Sequence, residues 1–196
     1  MSTNRLEAFS DGVFAVIITV MVLEMKVPHG SDLSALEPVL PVFVTYLLSF
    51  IYLGIYWNNH HHLLKAAHRI NGTIMWANLH LLFWLSLFPF VTGWMGENHF
   101  AAVPSALYGA VLLLAALAYV ILQTLIVNAH GGRESKLAAA IGKDWKGKLS
   151  PVLYATAIVI SFFQPWIAGA IYISVALMWL IPDRRLEHLV PQSEAG

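Results

Sequence analysis

The sequence predicts an all-α membrane protein with six membrane-crossing helices and both chain ends on the cytoplasmic side. Three observations lead there. Of 196 residues, 58% are hydrophobic and only 11% charged, with a mean hydropathy of +0.67; a soluble domain has about a quarter of its residues charged. The apolar residues fall into long runs separated by short polar stretches, as bilayer crossing requires. If those runs alternate in direction, lysine and arginine collect on one side. The chain has no cysteine, which excludes disulfides, cysteine-zinc sites and haem attachment through cysteine. The formal net charge of zero points to no partner, and no nucleic-acid motif is present.

The first span covers Asn4 to Val27, with an apolar run from Gly12 to Leu23. With its flanks it crosses a bilayer at a rise of about 1.5 Å per residue. An acidic residue at its head and the lack of a small-residue cleavage site argue against a signal peptide. An aspartate facing lipid costs roughly 3 kcal/mol near the bilayer centre and less near an end, so Asp11 is expected to face protein and to have a partner. At helical spacing Gly12, Val16, Thr19, Val20 and Leu23 fall within about 100° of one another, while Ser10 and Asp11 point well away. That stripe is free to face a neighbouring helix, lipid or a symmetry axis.

A short loop over 28–37 follows. The second span runs over 38–64 and ends in Trp57-Asn58-Asn59-His60-His61-His62-Leu63-Leu64. The third is placed at 72–95 and the fourth at 101–128. The loop 129–149 is basic and long enough for a short amphipathic helix on the inner leaflet. The fifth and sixth spans, 150–164 and 165–181, are split at Gln164-Pro165-Trp166, a tight turn. A polar tail begins at Asp183. Without an internal repeat or a soluble insert, residues 1–196 read as one six-helix transmembrane domain.

Alternation of six spans places Arg5, Lys65, Arg69, Arg133, Lys136, Lys143, Lys146, Lys148, Arg184 and Arg185 on one side and only Lys26 on the other. The positive-inside rule makes the first side cytoplasmic. The outer loops carry Glu24, Asp32, Glu37 and Glu97, an acidic mouth that would concentrate cations. Trp57, Trp76 and Trp179 near inner ends, with Trp94 and Trp166 near outer ends, resemble an aromatic belt.

This topology brings Arg5, Ser10 and Asp11 of span one, Asn58 to His62 of span two, and Asn78 and His80 of span three to one depth. A buried polar network across three helices would satisfy Asp11, with a histidine or the Trp57 indole as donor. The three consecutive histidines do not make a metal site. Helical ligands sit at i, i+3 or i, i+4, whereas three in a row spread over about 200°. A proton-sensing role stays open for them.

Arg5, Phe9, Ser10 and Asp11 form an R-x-x-x-F-S-D run. At the head of a first span it resembles the signature of the lysosomal potassium-channel family, transmembrane protein 175, in its bacterial single-repeat form. Tyr56, Trp57, Asn59, His60 and His61 are similar to that family's second helix. Asn71, Gly72, Trp76, Asn78 and Leu87 to Phe90 are similar to its third. The resemblance covers spans one to three; spans four to six match in number and hydropathy. It implies a homotetramer of six-helix subunits in a prokaryotic inner membrane, conducting potassium ions through a central pore lined by the first helix, with no cofactor. It further implies an apolar constriction at Val16, Val20 and Leu23, with Thr19 favouring potassium and no Thr-Val-Gly-Tyr-Gly filter. Arg5, Phe9, Ser10, Asp11, Trp57, His60, His61 and Asn78 would form the polar network holding that helix to its own subunit. The narrowest family position is usually isoleucine or leucine; here it is Val16.

The alternative is a proton-coupled or metal cation transporter using Asp11, His60 and His61 as a relay. Transporters typically carry internal repeats and broken helices near the midplane; the sequence offers neither. No catalytic carboxylate pair, metal motif or cofactor site speaks for an enzyme.

Overall fold

The computed structural model describes residues 3–142 and 144–180. Lys143, Arg184, Arg185, the end of the sixth span at Ile181 and the tail from Asp183 lie outside the described residues. Among the described residues all regular structure is helical. The helices are α1 (Thr3–Leu23), α2 (Leu40–Lys65), α3 (Gly72–Ser86), α4 (Phe88–Glu97), α5 (Ala102–Ala129), α6 (Lys136–Ile141), α7 (Trp145–Ser161) and α8 (Pro165–Leu180).

Among the described residues four segments are long and apolar enough to cross a membrane: Thr3–Leu23, Leu33–Lys65, Gly72–Glu97 and Ala102–Ala129. The last two expected spans correspond to α7 and α8, of 17 and 16 residues. At about 1.5 Å per residue each is near 25 Å long, short of a hydrocarbon core of about 30 Å.

Several boundaries differ from the sequence reading, each for a local reason. The first helix stops at Leu23 rather than Val27. Pro28 disfavours helix in the residue before it, and Lys26 turns outward to Glu97 at 2.7 Å. The expected loop 28–37 contains the start of a 3-10 turn, Leu33–Val39. The third span is two helices broken at Leu87. Pro89 has no N–H to continue the ladder, which breaks or kinks a helix. Helix α7 begins at Trp145, not Ser150, because Asp144 caps it by accepting from the Gly147 N–H at 3.1 Å; the helix then runs through Pro151. A short helix, α6, does occupy the basic loop.

The helices alternate in direction. Thr3 Oγ1 donates to the Ala67 carbonyl at 3.1 Å, and His130 Nε2 accepts from the His68 and Arg69 N–H groups, so these residues share one end of the bundle. Lys26 with Glu97, and Phe100 against Trp166 at 5.2 Å, share the other. Helix α5 packs against α3, α4, α7 and α8, and α1 lies on α2, α3 and α4. Buried hydroxyls in the core pair with one another. Ser49 Oγ meets Thr92 Oγ1 at 2.7 Å and the Tyr108 hydroxyl at 3.0 Å. The Tyr52 hydroxyl donates to the Tyr172 carbonyl at 2.6 Å, and the Tyr172 hydroxyl to the Ser105 carbonyl at 3.0 Å. With no water in a bilayer core, such pairing is obligatory.

Two glycines permit close approach. A Cβ at Gly109 would run into the Tyr172 hydroxyl, and one at Gly96 would lie 2.6 Å from the Val42 Cα. The second clash is with backbone and cannot be relieved by a rotamer change. Small residues let membrane helices approach this way. Gly96→Ala is expected to destabilise the protein by about 1–3 kcal/mol, read as a lower midpoint of denaturation in detergent; an unchanged midpoint would contradict the packing at α2 and α4.

Candidate functional site: the first helix and its polar seam

Helix α1 has two distinct faces. Leu6, Ser10, Phe14, Ile17 and Met21 are buried against the rest of the chain. Their spacing of four, four, three and four is one helical stripe. Gly12, Val16, Thr19, Val20 and Leu23 are exposed, Val16 at 62% and Leu23 at 75%. The centres of the two stripes are roughly 130° apart around the axis. The apolar stripe read from the sequence is therefore the side of α1 that its own chain leaves uncovered. Thr19 Oγ1 donates to the Ala15 carbonyl at 2.8 Å, so its proton is committed to the helix and its lone pairs remain as acceptors.

A polar seam joins the other side of α1 to α2 and α3. Ser10 and Asn78 are fully buried, as is His60. Ser10 Oγ donates to the Leu6 carbonyl at 2.9 Å, Asn78 Nδ2 donates to Ser10 Oγ at 3.0 Å, and Asn78 Oδ1 faces His60 Nε2 at 2.6 Å. With the Asn78 oxygen as acceptor, the histidine donates from Nε2, which assigns its tautomer. The His60 ring also packs on Phe14, 5.8 Å between centroids.

Asp11 is satisfied separately. Trp57 Nε1 donates to Asp11 Oδ1 at 2.9 Å. One turn away, His61 Nδ1 lies 2.6 Å from Glu7 Oε1, and the Trp57 and His61 rings stack at 5.9 Å. The expected single network around Asp11 is thus two adjacent sets, one through Asn78 and one through Trp57. Arg5 and Phe9 take no part. Phe9 is 51% exposed, and Arg5 is exposed without a hydrogen bond or ion pair to the described residues. His80, expected at the same depth, accepts instead from Trp84 Nε1 at 2.9 Å on an exposed face.

Glu7 is the participant the sequence reading did not single out. A signal for it existed. In antiparallel helices an Asp11–Trp57 contact places residues four back and four on beside each other, and those are Glu7 and His61. At the far end, Glu97 of the acidic mouth is neutralised by Lys26; the carboxylate's hydrogen bond and charge raise the Lys26 pKa. No group of three His, Cys, Asp or Glu side chains able to hold a metal occurs among the described residues.

Comparison with known proteins places this geometry in a family. The sequence model of the endosomal/lysosomal potassium channel TMEM175 matches residues 5–89, the part of the chain that holds the polar seam. A potassium channel of Chryseobacterium sp. (strain P1-3) is 55% identical over 187 residues, covering 95% of this chain and 97% of that one. The human endosomal/lysosomal proton channel TMEM175 is 37% identical over 89 residues, 38% of this chain and 18% of that one. The crystal structure of a lysosomal potassium-selective channel TMEM175 homologue from Chamaesiphon minutus superimposes with a TM-score of 0.80 at 29% identity, covering 92% of this chain and 97% of that one. With four apolar segments among the described residues long enough to cross a membrane, and the Chryseobacterium and Chamaesiphon relatives spanning nearly its whole length, the chain belongs to the TMEM175 channel family.

Proposed function

We propose that this protein is a potassium-selective cation channel. Four copies would surround a central pore lined by α1, with six crossings per subunit and both chain ends cytoplasmic in a bacterial inner membrane. The observation that carries the reading is the division of α1 into an anchored face and an uncovered apolar face. Along the membrane part of the helix the uncovered side presents Gly12, Val16, Thr19, Val20 and Leu23, flanked by Ala15 and Val22, with Arg5 and Phe9 exposed nearer its N-terminal end. One chain of this size encloses no pore of its own, so cyclic symmetry would supply it. In that arrangement Val16, Val20 and Leu23 form the constriction, an apolar gate that closes by dewetting. The outward lone pairs of Thr19 are then the only side-chain oxygens of the stripe available to a passing cation.

The seam holds the pore helix in place rather than relaying ions. Asp11, His60 and His61 each have a partner within their own subunit and lie off the exposed stripe, which favours the channel over proton-coupled transport. The test is ion flux from liposomes carrying the purified protein, under a potassium gradient and, in parallel, a sodium gradient, each with and without a pH difference. Potassium flux that needs no proton gradient and exceeds sodium flux is expected. Flux that requires a pH difference would overturn the channel reading in favour of the transporter. Thr19→Val is expected to narrow the gap between potassium and sodium flux; an unchanged ratio would remove Thr19 from selectivity.

A further inference from the structure

A second site lies away from α1, between α2, α5, α7 and α8. A cavity of about 40 Å³ lies there, lined by Tyr52, Tyr56, Tyr119, Tyr154 and Trp179 and by Asp144. None of its lining residues belongs to α1, α3 or α4, so it is separate from the seam and from the uncovered stripe. At about 1.5 Å per residue it reaches from the Asp144 end of α7 some 15 Å along that helix to Tyr154.

Three of the polar tips around this cavity have hydrogen-bond partners. The Tyr52 hydroxyl donates to the Tyr172 carbonyl, the Tyr119 hydroxyl to the Asn59 carbonyl at 3.2 Å, and Trp179 Nε1 to Ser150 Oγ at 2.8 Å. The rings also brace one another, Tyr52 edge-on to Tyr154 and Tyr56 edge-on to Tyr119, each pair 6.2 Å between centroids. Asp144 is held in the left-handed region, φ 36° and ψ 52°, which is uncommon for a residue other than glycine and concentrates at functional sites. One carboxylate oxygen accepts from the Gly147 N–H and the other from Gln123 Nε2 at 3.3 Å. A carboxylate offers about four acceptor positions, so capacity remains.

Aromatic walls with a carboxylate among them recognise a cation by ring quadrupole and charge. The chain itself shows the ring contact: Lys146 Nζ stands 5.9 Å from the centroid of Trp179. A water needs roughly 10–15 Å³ of such space, so the cavity accommodates about three waters' worth. That suits a primary ammonium on a two-carbon stem and is too small for a quaternary one.

We propose that this aromatic cavity binds a small primary ammonium group, supplied either by a free alkylamine or by an aminoethyl phospholipid headgroup.

The test uses the full chain in nanodiscs of phosphatidylcholine and phosphatidylglycerol. Ethylammonium is titrated by calorimetry, with tetramethylammonium as the size control. In a second arm phosphatidylethanolamine is added, and native mass spectrometry counts the lipid retained after detergent extraction. Asp144→Asn removes the charge while keeping an N-cap that tolerates the left-handed conformation. Ala116→Leu fills the cavity from α5 if the first variant does not fold. Saturable ethylammonium binding, weakened about tenfold or more in either variant, identifies a free amine. Retained phosphatidylethanolamine that either variant loses identifies the lipid. No saturable binding in either arm, equal binding by both folded variants, or tetramethylammonium binding as tightly as ethylammonium would overturn the proposal.

Discussion

Asn78→Ala is expected to destabilise this protein by roughly 2–4 kcal/mol, combining a lost side chain with an unsatisfied buried donor. Asn78 is fully buried and is the only link between His60 on α2 and Ser10 on α1 among the described hydrogen bonds. Removing it strands the His60 Nε2–H, which is fully buried. Ser10 suffers less, because its own proton stays on the Leu6 carbonyl. The decisive comparison is with a double variant. Asn78→Leu keeps the volume but still strands the histidine; adding His60→Phe removes the stranded donor. Taking away both partners of a buried pair is close to neutral when shape is kept. The double variant is therefore expected to recover most of the stability lost by Asn78→Leu alone, measured as the midpoint of denaturation in detergent. A double variant no more stable than the single one would mean that the seam is not held by this bond.

Asp11 differs in a way the sequence does not suggest. Its partner is the Trp57 indole, and the pair is not fully buried. Asparagine at position 11 still offers an oxygen to that N–H, so Asp11→Asn is a milder change than the loss of Asn78. From the sequence alone Asp11 looked like the centre of the network because it carries a charge. The structure centres the buried network on neutral Asn78 instead.

Much of the α1 geometry was legible because helical periodicity acts on a single continuous segment. The uncovered stripe, the inward Ser10 and the Trp57 donor all follow from rotation about one axis and from topology. The break at Leu87 was carried by Pro89, yet hydropathy averages across it and reads one span. The start of α7 was hidden because 145–149 reads as the end of the basic loop, whereas the operative signal is the Asp144 cap. The aromatic cavity was not legible at all. Its tyrosines come from three different helices, and only Tyr52 and Tyr56 share a helical spacing; the packing of α2, α5, α7 and α8 brings the rest together.

The largest functional effect is expected from Val16→Leu. Val16 is 62% exposed at the middle of the uncovered stripe, so the substitution disturbs nothing inside its own subunit. If α1 faced lipid, one more methylene would go unnoticed, since lipid tails are as apolar as leucine. At a fourfold axis the same change is repeated four times around one ring. Hydrating each added methylene costs about 0.8 kcal/mol, so four together raise the cost of a wet pore by about 3 kcal/mol. With each 1.4 kcal/mol worth a factor of ten, potassium flux should fall by roughly a hundredfold. Val16→Ala should move the other way, because a wider ring dewets less readily. Both variants are to be measured in liposomes at matched protein content, with assembly checked by cross-linking. Assembled Val16→Leu protein that conducts like the unsubstituted protein would place Val16 outside the constriction.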